Sequence, residues 1–400
     1  MHLPKKKNKP KRIGRPPAFL YFLLYCFLRP YYSLRYGVRF DNAAIRGIKG
    51  PALVVAPHTS NKDHWLIGMA LYPTRPTFVI SEHFLRNPFT RFFMTLARTV
   101  SKKMFCSDVS TIMNLLRAKR EGNVIVLFPE GRLSCNGRTG KLTEGTAALA
   151  KKLGVDIYRV AANGASLTFP KWAKKPRKGR IVLTGEKLLT AAEVAEKSLD
   201  ELEAILQDAI RHDDAAAMQG QSYRSKQMAE GLDGILYRCP SCAGEFTLTT
   251  EGDRIRCRCG MEARLTPDYR IENSPYRTVL EWYDAQSATI DLDVPMQSDV
   301  RVGTPDEKGN MNPEAGTGKA TMDREYFSFS GEVNGEPLAF RIPIAHLAAL
   351  PITVGAHFDV YYANRLYYIY PLPDMRVSVK WVAWLDRLKQ EEQMAASLAN

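Results

Sequence analysis

The sequence predicts an α/β domain that is followed by a small cysteine-rich hairpin and a β-rich portion. Two short apolar runs, Ala52–Ala56 and Asn123–Phe128, are typical of buried strands, and a helical pattern lies beyond each of them. Four cysteines lie between residues 239 and 259, and apolar and polar residues alternate in several runs after residue 325. Strands that alternate with helices indicate an α/β sheet, whereas repeated alternating runs indicate antiparallel strands.

Length and charge limit the possible organisation. The 400 residues, of which 45% are hydrophobic, suffice for two or three domains. The net charge is +14, but residues 1–40 hold ten Lys or Arg and no acid, so the remainder contributes only +4. Seven cysteines without a secretion signal indicate a reducing compartment, where clustered cysteines bind metal more often than they form disulfides.

The basic excess forms an N-terminal arm that precedes an apolar segment. Residues 5–12 are too charged to fold alone, and a nucleic-acid tail or a nuclear-import patch are the alternatives for them. Residues 17–28 are apolar, fall short of the roughly twenty needed to span a bilayer and have no cleavage site after them. Flanking arginines favour an interfacial helix held by anionic headgroups, with Tyr31, Tyr32 and Tyr36 in its aromatic belt. A buried core helix is the alternative.

The first candidate site is the strand-to-helix turn that runs from His58 to Asp63. In one continuous helix the two side chains would point about 140° apart, but in a turn they can meet. A carboxylate bonded to one imidazole nitrogen leaves the other nitrogen free as a general base. The alternative is structural: Ser60 caps the following helix, and Asp63 answers it as in a capping box.

A second stretch favours the chemical interpretation. The buried strand 123–128 runs into Phe128-Pro129-Glu130-Gly131-Arg132, at a strand end where α/β sheets bind ligands. Together with His58 and Asp63, in this order and spacing, it resembles the glycerolipid acyltransferase superfamily, which esterifies 1-acylglycerol-3-phosphate and related lysophospholipids. The resemblance extends from about Arg46 to Thr184.

The resemblance implies a mixed-sheet catalytic domain and assigns roles to individual residues. His58 would deprotonate the free hydroxyl of a lysophospholipid, and Asp63 would hold His58. Glu130, Gly131, Arg132 and Lys103 would receive the phosphoglycerol group. Lys103 stands where the family has an arginine, and Arg159 stands where its fourth motif has a proline. The donor would be acyl-CoA or acyl carrier protein, and because a thioester is already activated no catalytic cofactor is needed.

Other elements of this region follow from local signals. We expect a strand at Pro76–Ile80, a helix capped by Asn87 with Pro88 in its first turn, and a helix at Val109–Lys119. A helix capped by Thr143 and ended by Gly154, strands at 155–161 and 180–184, and one helix at 191–211 opened by Thr190 and Glu193 complete the domain. The loop 171–180 packs six cations around Trp172, which suits anionic lipid or coenzyme A phosphates; a solvated face is the alternative.

The cysteine cluster predicts a metal site. Cys239 and Cys242 form one pair, Cys257 and Cys259 form another, and the alternating segment between them indicates a hairpin. Four thiolates that close a tetrahedral site are typical of a zinc ribbon, so we predict structural Zn²⁺ with no catalytic role. Free thiols are the alternative.

The last portion is expected to be β-rich. Strands are predicted at 326–329, 338–342, 358–362 and 366–370, and a helix carries apolar residues from Val377 to Leu388. Several antiparallel strands closed by one helix resemble a pleckstrin-homology-like module. That likeness is architectural and does not itself imply a function.

The prediction as a whole is a peripheral or monotopic acyltransferase on the cytoplasmic face of the cell membrane, with an anionic membrane surface rather than nucleic acid as its partner. The expected parts are a basic arm and interfacial membrane helix (1–45), an acyltransferase domain (46–212), a linker (213–230), a zinc ribbon (231–268) and a β-rich domain with a C-terminal helix (269–400). The alternative function is a non-catalytic membrane scaffold that recruits a partner through its zinc ribbon and β domain.

Overall fold

The computed structural model describes residues 12–103, 108–306 and 310–399. Most of the predicted basic arm, residues 5–11, therefore lies outside the described residues. Within these ranges the chain forms three sheets, of seven, four and seven strands.

The first sheet and its helices occupy the N-terminal half of the chain. The elements in order are α1 (Ala18–Tyr36), β1 (Val38–Asp41), β2 (Ala52–Val55), α2 (Asp63–Leu71), β3 (Thr77–Ser81), α3 (Pro88–Leu96), β4 (Val100–Lys102), α4 (Val109–Arg120), β5 (Val124–Leu127), α5 (Thr146–Leu153), β6 (Asp156–Asn163), α6 (Ala165–Thr168), β7 (Ile181–Leu189), α7 (Ala191–Glu196), α8 (Leu199–Ile210) and α9 (Asp214–Ala217). A 3₁₀ turn, Glu82–Leu85, joins β3 to α3.

The sheet is mixed, as predicted, with strand order β1-β7-β6-β2-β5-β3-β4. Strands β2, β3, β4, β5 and β6 are mutually parallel, and β7 runs antiparallel to β6. The central strands β2 and β5 are buried along their whole length, because helices cover both faces of the sheet. The carboxyl ends of the parallel strands meet at one edge, and this edge positions the candidate site.

Two local predictions for this region are wrong. The single helix expected over 191–211 is two helices, because Ser198 starts α8 with its own capping box to Glu201. Thr143 does not cap α5, which begins after Gly145. The Thr143 hydroxyl instead donates to the carbonyl of Pro129 at 3.0 Å, which ties this segment to the turn after β5.

Helix α1 is only partly as expected. Tyr32 and Tyr36 are buried against Phe169, so they do not belong to an exposed aromatic belt, whereas Tyr31 is exposed. The exposed apolar side chains of α1 include Phe19, Phe22, Phe27 and Leu34. Across the described ranges, no helix has both the length and the apolar content required to cross a bilayer.

The cationic loop 171–180 is not a uniform solvated or lipid-facing surface. Arg177 is fully buried, donates to the carbonyl of Met228 at 2.6 Å and lies 4.5 Å above the buried ring of Trp172. The segment 213–230, which the sequence predicts as a linker with few apolar anchors, is also packed. It buries Tyr223, Met228 and Ala229 in the core of the C-terminal half.

The C-terminal half contains the other two sheets. The elements are β8 (Leu248–Glu251), β9 (Arg254–Cys257), β10 (Glu262–Leu265), β11 (Ile271–Glu272), α10 (Val279–Ala288), β12 (Met296–Pro305), β13 (Met311–Met322), β14 (Tyr326–Val333), β15 (Glu336–Pro343), β16 (Ile352–Thr353), β17 (His357–Tyr362), β18 (Arg365–Leu372) and α11 (Ser378–Ala399). The strand orders are β11-β10-β9-β8 and β15-β14-β13-β12-β18-β17-β16.

The predicted antiparallel strands and closing helix are confirmed, while β12 and β13 were not predicted. The sequence of β13 does not alternate, because glycines stand where side chains would prevent pairing: a Cβ on Gly316 would lie 1.9 Å from the carbonyl oxygen of Glu332. The cysteine hairpin and the large antiparallel sheet share one apolar core, to which Leu248, Ile255 and Trp381 contribute.

Candidate functional site

The turn after β2 brings His58 and Asp63 together. Asp63 is the first residue of α2 and is 1% exposed, and its Oδ2 lies 2.9 Å from Nδ1 of His58. The same oxygen accepts the backbone N–H of Ser60 at 2.9 Å. Burial raises the pKa of Asp63 above its usual value, although the hydrogen bonds from His58 and Ser60 oppose this effect.

This geometry combines the two alternatives that the sequence leaves open. Asp63 closes the turn through the Ser60 N–H, while the Ser60 hydroxyl accepts from Lys62 rather than from Asp63. An ionised carboxylate can only accept, so Nδ1 of His58 carries the proton that it donates to Asp63. The Nε2 lone pair then has no hydrogen-bond partner in the part of the chain that the structure describes, and the side chain is 25% exposed.

An aromatic ring packs against one face of the His58 imidazole. The Phe128 ring stacks on His58 with the centroids 4.4 Å apart and the planes inclined by 24°. Phe128 follows β5, the parallel neighbour of β2, and this pairing places the two turns next to each other.

Glu130 connects the two turns through the backbone. Its Oε1 accepts the N–H of His58 at 2.7 Å, and its Oε2 accepts the N–H of Gly140 at 2.8 Å. Burial raises the pKa of Glu130 to about 6, against the lowering effect of these N–H groups. The carboxylate is 3% exposed, so it faces the His58 backbone rather than an open site. Gly131 follows with φ 70°, a left-handed conformation that favours glycine.

Arg132 lies against the C-terminal helix. Its Nη2 is 2.7 Å from Oδ2 of Asp386 on α11, and its Nη1 is buried without a hydrogen-bond partner among the described residues. Burial alone would lower the pKa of Arg132, because it disfavours the charged guanidinium. The attraction of Asp386 is stronger than this effect and raises the pKa of Arg132 above its usual value. Lys103 is exposed just after β4, an edge strand separated from β5 by β3. The described contacts do not join Lys103 to His58.

Sequence reasoning missed three groups that contact these residues. The Ser134 N–H donates to the carbonyl of His58 at 2.9 Å, so the His58 peptide is held on both sides. The other two are Gly140, whose N–H donates to Glu130, and Asp386, which accepts from Arg132. No motif marks them: Gly140 and Ser134 act through their backbones, and Asp386 lies 254 positions from Arg132.

The four predicted cysteine ligands come together in the hairpin. The sulfur atoms of Cys239, Cys242, Cys257 and Cys259 all lie within 4.8 Å of one another. Backbone N–H groups of Ser241 and Gly244 point at the sulfurs of Cys239 and Cys242, each at 3.4 Å. Four converging thiols with N–H donors suit a closed, four-coordinate metal site and leave no position open for catalysis.

Comparisons with known proteins relate the sequence around these residues to a family. A family model described as Acyltransferase matches residues 37–163, the interval that contains His58, Asp63 and Glu130. Among solved structures, the chain is similar to the 1-acyl-sn-glycerophosphate (LPA) acyltransferase PlsC from Thermotoga maritima, with 18% identity over 50% of this chain and 78% of that chain, and a TM-score of 0.42. No statement about the function of this chain rests on this structural likeness. The family match confirms the resemblance that the two motifs predict: residues 37–163 are similar to the Acyltransferase family model.

Proposed function

We propose that the protein transfers a fatty acyl group from an acyl thioester to the free hydroxyl of a lysophospholipid, with 1-acylglycerol-3-phosphate as acceptor and phosphatidate as product. One observation carries the proposal: His58 is bonded through Nδ1 to the buried Asp63, and its Nε2 has no hydrogen-bond partner among the described residues, within the interval that matches the Acyltransferase family model. A base of this kind suits a reaction whose nucleophile is an alcohol.

The reaction needs only proton movement and an activated donor. Nε2 of His58 removes the hydroxyl proton as the oxygen attacks the thioester carbonyl. Collapse of the tetrahedral intermediate breaks the C–S bond, and the imidazolium returns its proton to the leaving thiolate. Asp63 stabilises the imidazolium and keeps its ring oriented. The donor, acyl-CoA or acyl carrier protein, brings the activation with it.

We assign the remaining site residues by their contacts. Glu130 uses both carboxylate oxygens on backbone N–H groups, so its role is to hold the His58 turn. The candidates that bind the acceptor phosphate are Arg132, whose Nη1 has no hydrogen-bond partner among the described residues, and Lys103, at the same edge of the sheet. A lysine acts there as a point charge without the bidentate geometry of arginine.

Membrane attachment and the metal complete the proposal. The exposed apolar residues of α1, together with the basic arm, favour peripheral or monotopic binding to the cytoplasmic face of an anionic membrane. The four cysteines would bind one structural Zn²⁺.

A substrate panel tests the proposed activity. Purified protein is incubated with radiolabelled acyl-CoA or acyl carrier protein and with lysophospholipids that differ in headgroup. We expect label in phosphatidate when lysophosphatidate is the acceptor. The absence of product with every donor and acceptor pair, in folded protein, would contradict the proposal.

The pairing of Arg132 with Asp386 favours a second candidate, a non-catalytic membrane scaffold, because a residue expected to bind substrate is already engaged. Product formation in the same panel excludes this candidate.

A further inference from the structure

Helix α3 exposes an aromatic face. None of its nine residues is buried, and Phe89, Phe92 and Phe93 are 71%, 63% and 46% exposed. Their spacing of three and four residues places them on one side of the helix. Edge-to-face contacts join Phe93 to Phe89 and to Phe92, with centroids 4.9 and 5.4 Å apart. We call these three residues the α3 phenylalanine face.

The exposed phenylalanines lie on a helix whose start is well capped. The Asn87 side chain accepts the N–H groups of Phe89 and Thr90 at 2.9 and 3.3 Å, and Pro88 occupies the first helical turn. The Arg91 guanidinium reaches back to the carbonyls of Leu85 and Arg86 at 2.7 and 3.0 Å. Three adjacent exposed phenylalanines on such a helix form the kind of apolar patch that marks an interaction site.

The charge around the face indicates which partner it fits. From His83 to Lys103 the chain has five cations and no carboxylate: Arg86, Arg91, Arg98, Lys102 and Lys103. Glu82 and Asp306 lie beside Arg86 and Arg91, so the surroundings carry a net positive charge rather than cations alone. An apolar helix face on a chain segment of net positive charge matches a bilayer, which offers anionic headgroups above an apolar interior.

The face also lies on the same side of the sheet as α1. The steps from β2 to β3 and from β3 to β4 go in the same direction along the sheet, so right-handed crossovers place α2 and α3 on one face. Helix α1 packs on α2 there, where the Tyr21 hydroxyl donates to the Gly68 carbonyl at 3.1 Å. Gly14, just before α1, lies beside the Arg98 side chain, which follows α3.

We propose that the α3 phenylalanine face is a second docking surface for an anionic phospholipid bilayer, beside the exposed side of α1. Because α3 starts at the sheet edge that carries His58, docking through it sets this edge at the lipid surface. A lysophospholipid then reaches His58 from the bilayer; this last step rests on the proposed function.

Vesicle partitioning tests the docking surface. The protein is cosedimented with vesicles of phosphatidylcholine and phosphatidylglycerol, and the double variant Phe89→Ser/Phe92→Ser is compared with Val294→Ser/Met394→Ser, which removes exposed apolar side chains outside α1 and α3. We expect the partition coefficient to fall by about tenfold or more in the first variant only. Equal partitioning of the Phe89/Phe92 variant and the wild type would overturn the proposal and assign the face to a protein partner.

A second measurement, of how deeply α3 inserts into the bilayer, does not depend on the folding of the double variant. In Phe93→Trp, we expect vesicles with brominated acyl chains to quench more fluorescence than in the wild type. No added quenching would contradict insertion of α3.

Activity separates this inference from the proposed function. With a dispersed short-chain lysophosphatidate, the Phe89/Phe92 variant should keep kcat/KM within about twofold, whereas it should lose about tenfold on vesicle-borne acceptor. If the wild type transfers no acyl group yet its vesicle binding depends on Phe89 and Phe92, the proposed function fails and docking stands. If the wild type transfers acyl groups and the Phe89/Phe92 variant binds vesicles as well as the wild type does, the proposed function stands and the docking surface is overturned.

Discussion

Glu130 shows at the residue scale how a motif can identify a residue and leave its contacts open. The sequence marks it as a polar group at a strand end, but the structure buries both carboxylate oxygens on backbone N–H groups. Such a carboxylate orders the turn that carries His58. The contact between His58 and Asp63, by contrast, was predictable, because both residues lie in one short turn.

We predict that Glu130→Gln lowers kcat with little change in KM for the acceptor. The amide turns its NH₂ group towards one of the two N–H donors, so one hydrogen bond is lost and the free energy of unfolding falls by about 1–3 kcal/mol. Steady-state kinetics and denaturant unfolding check this, with Glu144→Gln, an exposed carboxylate, as the control. A large rise in KM at constant kcat would instead place Glu130 against the substrate.

The partner of Arg132 could not be predicted from the sequence. Asp386 lies on α11, and nothing local links it to the turn after β5. We expect Asp386→Ala to leave the guanidinium without its ion pair and to lower the free energy of unfolding by about 1.5–3 kcal/mol, as measured in denaturant. Asp284→Ala, which removes the exposed partner of Arg138, should cost less than 1 kcal/mol. Equal losses in the two variants would contradict the partly buried pairing of Arg132 with Asp386.

Among the secondary-structure elements, helix ends were predicted correctly where the sequence holds both residues of a capping pair or a terminal glycine. Asn87 with Pro88 starts α3, Thr190 with Glu193 starts α7, and Gly154 ends α5. The break between α7 and α8 was also encoded, since Ser198 and Glu201 form a second capping box, but the prediction took only the first capping box and extended one helix to residue 211. Strand β13 was missed because its glycines interrupt the alternation.

The cysteine hairpin leads to a prediction at the same scale. We expect one zinc per chain by metal analysis, since the four thiols converge on one point. Metal binding would add to the stability that the hairpin gains from the apolar core it shares with the large sheet. Cys239→Ser should lose the metal and the hydrogen-exchange protection of β8 and β9, while the exposed Cys26→Ser keeps both. Protein purified under reducing conditions without zinc would disprove the assignment.

At the scale of the whole molecule, the packing between distant segments was not predictable. Residues 213–230 and the loop at Trp172 look polar in sequence, yet they bury Tyr223, Trp172 and Arg177 in one core with the C-terminal half. Composition describes each segment alone, whereas burial depends on what the rest of the chain places against it.

Asp359 on β17 gives this packing a pH dependence. Burial raises its pKa from 3.8 to about 7, and the charge of Lys171 opposes this only partly. Between about pH 4 and 7 the folded state therefore keeps a proton that the unfolded state has released, so stability falls as the pH rises through this window. Asp359→Asn should raise the free energy of unfolding at pH 8, on the order of 1–4 kcal/mol, and change it little at pH 4. Thermal melts at both pH values check this against Asp299→Asn, an exposed carboxyl on the same sheet; equal behaviour of the two variants would contradict the burial effect.

The proposed reaction depends on His58, held by Asp63, to deprotonate the acceptor hydroxyl. Its most direct measurement is the initial rate of phosphatidate formation from labelled acyl thioester and lysophosphatidate, for the wild type, His58→Ala and His346→Ala, an exposed histidine of the C-terminal half. We expect the rate of His58→Ala to fall by about 10²- to 10⁴-fold with its fold intact by circular dichroism, while His346→Ala keeps the wild-type rate. A wild-type rate in His58→Ala would contradict this role of His58.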